Sequence, residues 1–102
     1  MVLDDRNTPE YIKFINNVFI KDDYKCIICG SPRFITVHHL DGYSWCVEGR
    51  TKISNGVTLC NSCHEKFHDE FGYGDNTADQ FHIFYKREHD KLIYKILKNK
   101  KY

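Results

Sequence analysis

The chain has 102 residues, 41% of them hydrophobic and 28% charged, with a formal net charge of +1. That is enough for one domain with a small core, and the aromatic content (seven Tyr, seven Phe, one Trp) excludes a disordered chain. A mean hydropathy of −0.57, with no apolar run near ~20 residues, excludes a membrane-spanning helix.

Residues 1–10 are polar and hold three acids, which reads as neither a signal nor a transit peptide and points to the cytoplasm. Thr8-Pro9-Glu10 is a helix start, with threonine as cap, proline in the first turn and an acid beside it. Tyr11, Phe14, Ile15, Val18 and Phe19 then recur at helical spacing, which predicts a helix over about 9–21. Cys26-Ile27-Ile28-Cys29 is followed by Gly30, where a tight knuckle favours a residue tolerant of positive φ. Arg33 to Leu40 is rich in β-branched residues and predicts a strand. Asp41 to Asn55 is polar and reads as a loop, and Val57-Thr58-Leu59 as a short second strand ending at Cys60. Ser62 to Phe71 predicts a helix stopped by Gly72. Thr77-Ala78-Asp79-Gln80 fits a capping box. Beyond it, Phe81, Phe84, Tyr85, Leu92, Ile93, Ile96 and Leu97 mark an amphipathic helix over about 77–99. These elements predict an α+β fold in a single domain over 1–102, with a core of about 20–76 between two flanking helices.

Charge divides unevenly along this order. Residues 1–85 carry eight basic and twelve acidic side chains, whereas residues 86–102 carry seven basic and two acidic. Lys91, Lys95, Lys98, Lys100 and Lys101 therefore form either a polyanion-binding end or a solvated helix terminus.

Four of the five cysteines fall into two C-x2-C pairs, Cys26/Cys29 and Cys60/Cys63. In a reducing compartment disulfides would not persist, and two such pairs in a short chain read as a tetrahedral four-cysteine zinc site. The alternatives are two pairs of buried thiols, or one redox C-x-x-C beside a coincidental pair. Cys46 is left over as a free thiol.

Four histidines flank this framework. His64 and His68 sit four apart on the short helix and share one face, a divalent-metal half-site whose bland alternative is packing against aromatics. His38-His39 close the first strand, where alternation sends neighbours to opposite faces, so both serve one site only at a strand end or twist.

The set His38-His39, Asn55 and His64, with Cys26/Cys29 and Cys60/Cys63 around it, resembles the HNH (ββα-metal) endonucleases, in the zinc-stapled branch common among phage-borne and homing enzymes. Asn55-Gly56-Val57-Thr58-Leu59-Cys60-Asn61-Ser62-Cys63-His64 is especially similar to that branch. So is Phe67-His68-Asp69-Glu70-Phe71-Gly72-Tyr73-Gly74-Asp75-Asn76-Thr77. The resemblance spans roughly residues 20–85. It implies a ββα-metal motif stapled by zinc, His38 and His64 as ligands of a catalytic divalent ion with His68 as a further one, and His39 as general base. Asn55 would pin the loop to the strand that carries the base. Many relatives have aspartate where His38 stands, so this site is richer in imidazole than usual.

The chemistry these roles imply is metal-dependent hydrolysis of DNA phosphodiesters, one strand per site. A neutral imidazole can take the proton of the attacking water, and a divalent ion can act as Lewis acid on the phosphate. Three imidazoles favour Mn²⁺, Ni²⁺ or Zn²⁺ over Mg²⁺. Arg50 and Lys52 are candidate phosphate contacts, with exposed solubilising charges as the alternative, and Lys91, Lys95 and Lys98 could follow the backbone of double-stranded DNA. A double-strand break would need two visits or a homodimer, and a role in packaging would need a phage protein partner. The competing reading is a zinc-stapled DNA-binding module without catalysis. His82 and His89 have no partner at metal spacing and read as ordinary helix residues.

Overall fold

The computed structural model describes residues 5–99, so Lys100 and Lys101 lie outside the described residues. A helix α1 (Pro9–Lys21) leads through the first cysteine knuckle to strand β1 (Ile35–His39). A loop with two short 3-10 turns, Val47–Gly49 and Ile53–Asn55, then returns the chain to strand β2 (Gly56–Cys60). Helix α2 (Asn61–Phe71) and the long helix α3 (Ala78–Asn99) complete the α+β fold. No helix among the described residues is long and apolar enough to cross a membrane.

The two strands form an antiparallel hairpin, pairing Ile35 with Cys60 and His39 with Gly56. β1 is shorter than its β-branched run suggests. Phe34 sits at φ 53, a left-handed conformation that no strand residue adopts, so the ladder starts only at Ile35. Every residue of β2 is buried, and its outer edge is covered. The Thr58 N–H donates to the Asp22 carboxylate (2.8 Å), and the Thr58 carbonyl accepts from Ile27 N–H (3.0 Å).

Helix α1 starts as its cap predicts, with Thr8 Oγ1 accepting from Tyr11 N–H at 3.1 Å. It buries Phe14 and Val18 against β2, and Gly56 makes that approach possible. A methyl group there would stand 2.7 Å from Val18 and 2.9 Å from Phe14. Gly30 adopts φ 78, the left-handed geometry its place after the first knuckle predicts.

The main core lies on the other side of the hairpin, where Val57, Leu59, Phe67, Phe81 and Phe84 pack with Cys26, Ile28 and Cys60. The capping box at α3 forms, with Thr77 Oγ1 accepting from Gln80 N–H and Gln80 Oε1 from Thr77 N–H. The packing of α3 on this core runs from Phe81 to Leu92. Ile93, Ile96 and Leu97, which continue its apolar stripe, are exposed.

Candidate metal and nucleic-acid site

The sulfurs of Cys26, Cys29, Cys60 and Cys63 lie within 4.8 Å of one another. Cys29 Sγ and Cys60 Sγ are 3.6 Å apart, close to the ~3.8 Å that two thiolates on a tetrahedral zinc would span. The hairpin brings them together, because Cys60 ends β2 and caps α2 while the first knuckle lies along the same strand. Their ionisation is uneven. Burial opposes the thiolate of Cys26, but N–H groups of Cys29, Cys60 and Ile28 outweigh it and lower its pKa. Burial pushes the Cys63 thiol up, and the neighbouring sulfurs push it further. Such a cluster suits a cation that neutralises the thiolates together.

His38, His64 and His68 form a second cluster, again with one ring nitrogen from each within 4.8 Å of the others. His38 is buried, its ring edge-on to Phe67 and stacked on Phe81. Its Nε2 has no hydrogen-bond partner among the described residues. An orphaned buried nitrogen of this kind costs about 1–3 kcal/mol unless a ligand satisfies it. His64 Nε2 and His68 Nε2 are 3.0 Å apart, near the ~3 Å between adjacent ligands on one ion with 2.1 Å bonds. His68 Nδ1–H donates to the Gly72 carbonyl at 2.7 Å, which leaves Nε2 with the lone pair. Burial, and then the other histidines, push the pKa of His38 down to about 3; burial and His68 push His64 down to about 4. Both rings are therefore neutral at physiological pH, the form that binds metal.

His39 points to the opposite face, among Tyr11, Phe14 and Tyr43. Its Nε2 donates to the Arg50 carbonyl at 3.0 Å, so Nδ1 is the basic nitrogen. Burial lowers its pKa; the Arg50 carbonyl works against that, and the Arg6 and Arg50 charges add to it. Asn55 pins the intervening loop, accepting from Asp41 N–H (2.9 Å) and donating to the carbonyls of Asp41 and Gly49 (both 3.0 Å).

Both faces open into one cleft of about 410 Å³, bordered by His38, His39, His64 and His68. No carboxylate lines it, and Arg6 is its one arginine or lysine among the described residues. Arg6 and Arg50 both stack on Tyr43, at 4.2 and 4.3 Å from the ring centre. Arg50 also donates from Nε to the Tyr43 carbonyl. Neither Arg50 nor Lys52 lines the cleft, while Arg6, Tyr43 and Tyr73 do, and sequence reasoning missed all three. Tyr73 lies flat on His68 at 4.3 Å. Lys91 is engaged by Glu88, and Lys95 and Lys98 are exposed on the far half of α3.

Residues 26–70 match the HNH endonuclease family. This segment matches an HNH domain, and its four cysteines are placed to form a metal site, as in the zinc-stapled type. It contains the hairpin, both cysteine pairs, the four site histidines and Asn55. No curated protein matches the chain. The match supports nuclease chemistry in general, whose substrate class is DNA, and the matched segment ends before Gly72 and the whole of α3.

Proposed function

We propose that this protein is a metal-dependent DNA endonuclease that hydrolyses phosphodiester bonds one strand at a time. The reading rests above all on one juxtaposition. A neutral histidine whose tautomer is fixed by a main-chain carbonyl borders the same cleft as three convergent imidazoles.

In this reading Cys26, Cys29, Cys60 and Cys63 hold a structural zinc that locks the hairpin to α2. His38, His64 and His68 would hold the catalytic divalent ion, which supplies Lewis-acid chemistry at the scissile phosphate. His39 Nδ1 accepts the proton of the attacking water, while its Nε2–H stays on the Arg50 carbonyl. Asn55 keeps that carbonyl in place through the loop it pins. Arg6, which lines the cleft, attracts the phosphate into it. One site of this kind cuts one strand, so a double-strand break needs a second visit, a homodimer or a partner protein.

The test is relaxation of supercoiled plasmid by wild type and His39→Ala, both zinc-loaded, with Mn²⁺, Ni²⁺, Mg²⁺ or EDTA. Cleavage by wild type alone, abolished by EDTA and faster with Mn²⁺ or Ni²⁺ than with Mg²⁺, is expected. DNA binding without cleavage by either protein would make this a binding module.

A further inference from the structure

The HNH domain stops short of the turn that joins α2 to α3, yet that turn is wired into both halves of the site. Asn76 is its centre and is only 5% exposed. Its side-chain amide donates toward the Gly72 carbonyl (3.2 Å), the Phe71 carbonyl (3.4 Å) and Gln80 Oε1 (3.2 Å). The Gly72 carbonyl is also the acceptor that orients His68. The main-chain carbonyl of Asn76, on the other side, accepts from Gly42 N–H (2.9 Å) and from Trp45 Nε1–H (2.7 Å). Gly42 and Trp45 belong to the loop that Asn55 pins, and Asp41 of that loop accepts from Ala78 N–H at the start of α3 (2.9 Å).

We infer that Asn76 is a positioning residue for the reaction: its amide holds the carbonyl that orients the ligand His68, and its carbonyl anchors the loop that orients His39. This deepens the endonuclease reading and rests on the histidine trio holding a divalent ion. The residue type follows from the partners. Three acceptor oxygens face one NH2 group, so asparagine fits, whereas the isosteric aspartate would set a carboxylate against three oxygens.

The experiment is calorimetric titration of nickel(II) into the zinc-loaded full chain, with Asn76→Asp, His68→Ala and the double variant compared with wild type. Asn76→Asp weakens nickel binding by about 10- to 100-fold, the range for a group that orients a ligand. That loss disappears in the His68→Ala background, because the residue acts through His68. Unchanged affinity, or an equal loss with and without His68, overturns the assignment and leaves Asn76 a stabiliser of the turn. No nickel uptake by wild type beyond the cysteine site overturns the trio reading itself, and this inference with it. Trp45→Phe removes one donor to the Asn76 carbonyl and little else. It lowers kcat severalfold at saturating metal and leaves nickel affinity and KM for DNA unchanged; an unaltered kcat refutes the loop half of the assignment. If Asn76→Asp does not fold, Trp45→Phe decides alone.

Discussion

His39 Nε2 lies 3.0 Å from the carbonyl of Arg50, eleven residues further along the chain. A carbonyl can only accept, so this contact fixes which imidazole nitrogen keeps its proton and leaves the lone pair on Nδ1, the proposed base. The carbonyl is held in turn because Asn55 donates to Gly49, its neighbour in the loop. His39→Ala is therefore expected to lower single-turnover nicking by about 10²- to 10⁴-fold with zinc content unchanged. Asn55→Ala releases the loop but keeps the base, and its loss is smaller, about 10- to 100-fold. If nicking survived His39→Ala at near wild-type rate, proton transfer would have to be placed elsewhere.

The two clusters are expected to respond differently to removal. Cys60 ends β2, caps α2 and packs in the core, so Cys60→Ser is expected to break the proposed zinc site where β2 meets α2. Zinc binding in small domains is worth about 10–16 kcal/mol and is largely folding free energy. Cys60→Ser, or a strong chelator acting on wild type, is expected to abolish the cooperative thermal transition. His64→Ala instead keeps the transition and one zinc per chain by elemental analysis, and loses divalent-dependent cleavage. A His64→Ala protein that lost its zinc would merge the two sites into one.

Local spacing made much of this site legible. The cysteine pairs and the His64/His68 pair are set by residues two to four apart, and the hairpin that joins them follows from a β-branched run and its turn signals. Strand alternation correctly separates His38 from His39, yet it does not reveal that both faces reach one cleft. That depends on α1 packing on one side of the hairpin and α2 on the other. Arg6, Tyr43 and Asn76 were illegible for the same reason: their roles exist only through contacts with residues far away in sequence, such as Trp45 with Asn76. Arg50 is visible as a charge, but its guanidinium is engaged by Tyr43 and the atom that meets His39 is a main-chain oxygen, which side-chain identity does not report. The periodicity of α3 was read correctly as helix, but its apolar stripe outruns the core it packs on.

Arg6 is expected to govern DNA affinity more than the chemical step. It is the one arginine or lysine lining the cleft among the described residues, whereas Lys52 is exposed outside it. Arg6→Ala should raise KM for plasmid severalfold and reduce the slope of log affinity against log salt by about one, the signature of one lost phosphate contact. Lys52→Ala should change both little. Salt-dependent binding isotherms for the two variants check this, and an unchanged slope for Arg6→Ala would remove it from the phosphate path.

Acid sensitivity outside the active site is expected to centre on Glu88. This α3 carboxylate is only 6% exposed and meets Lys66 of α2 at 2.5 Å and Lys91 at 2.9 Å. Arg87 lies beside it and grips Glu70 with both terminal guanidinium nitrogens. The hydrogen bond from Lys66 holds the Glu88 pKa below the usual 4.5; burial works against that and Lys91 adds to it. A lowered carboxylate pKa means that the unfolded chain binds the proton first. The pair then stabilises the fold fully above about pH 4.5 and ceases to do so as the pH falls through the lowered value. Glu88→Gln should lose about 1 kcal/mol at pH 7, a figure kept small by the solvent-exposed lysines. The gap between wild type and variant should close below about pH 4.5. Urea midpoints for both proteins across this range, taken as a difference so that zinc loss common to both cancels, measure it. A gap that stayed constant down to pH 3.5 would show that Glu88 acts through packing alone and not through its charge.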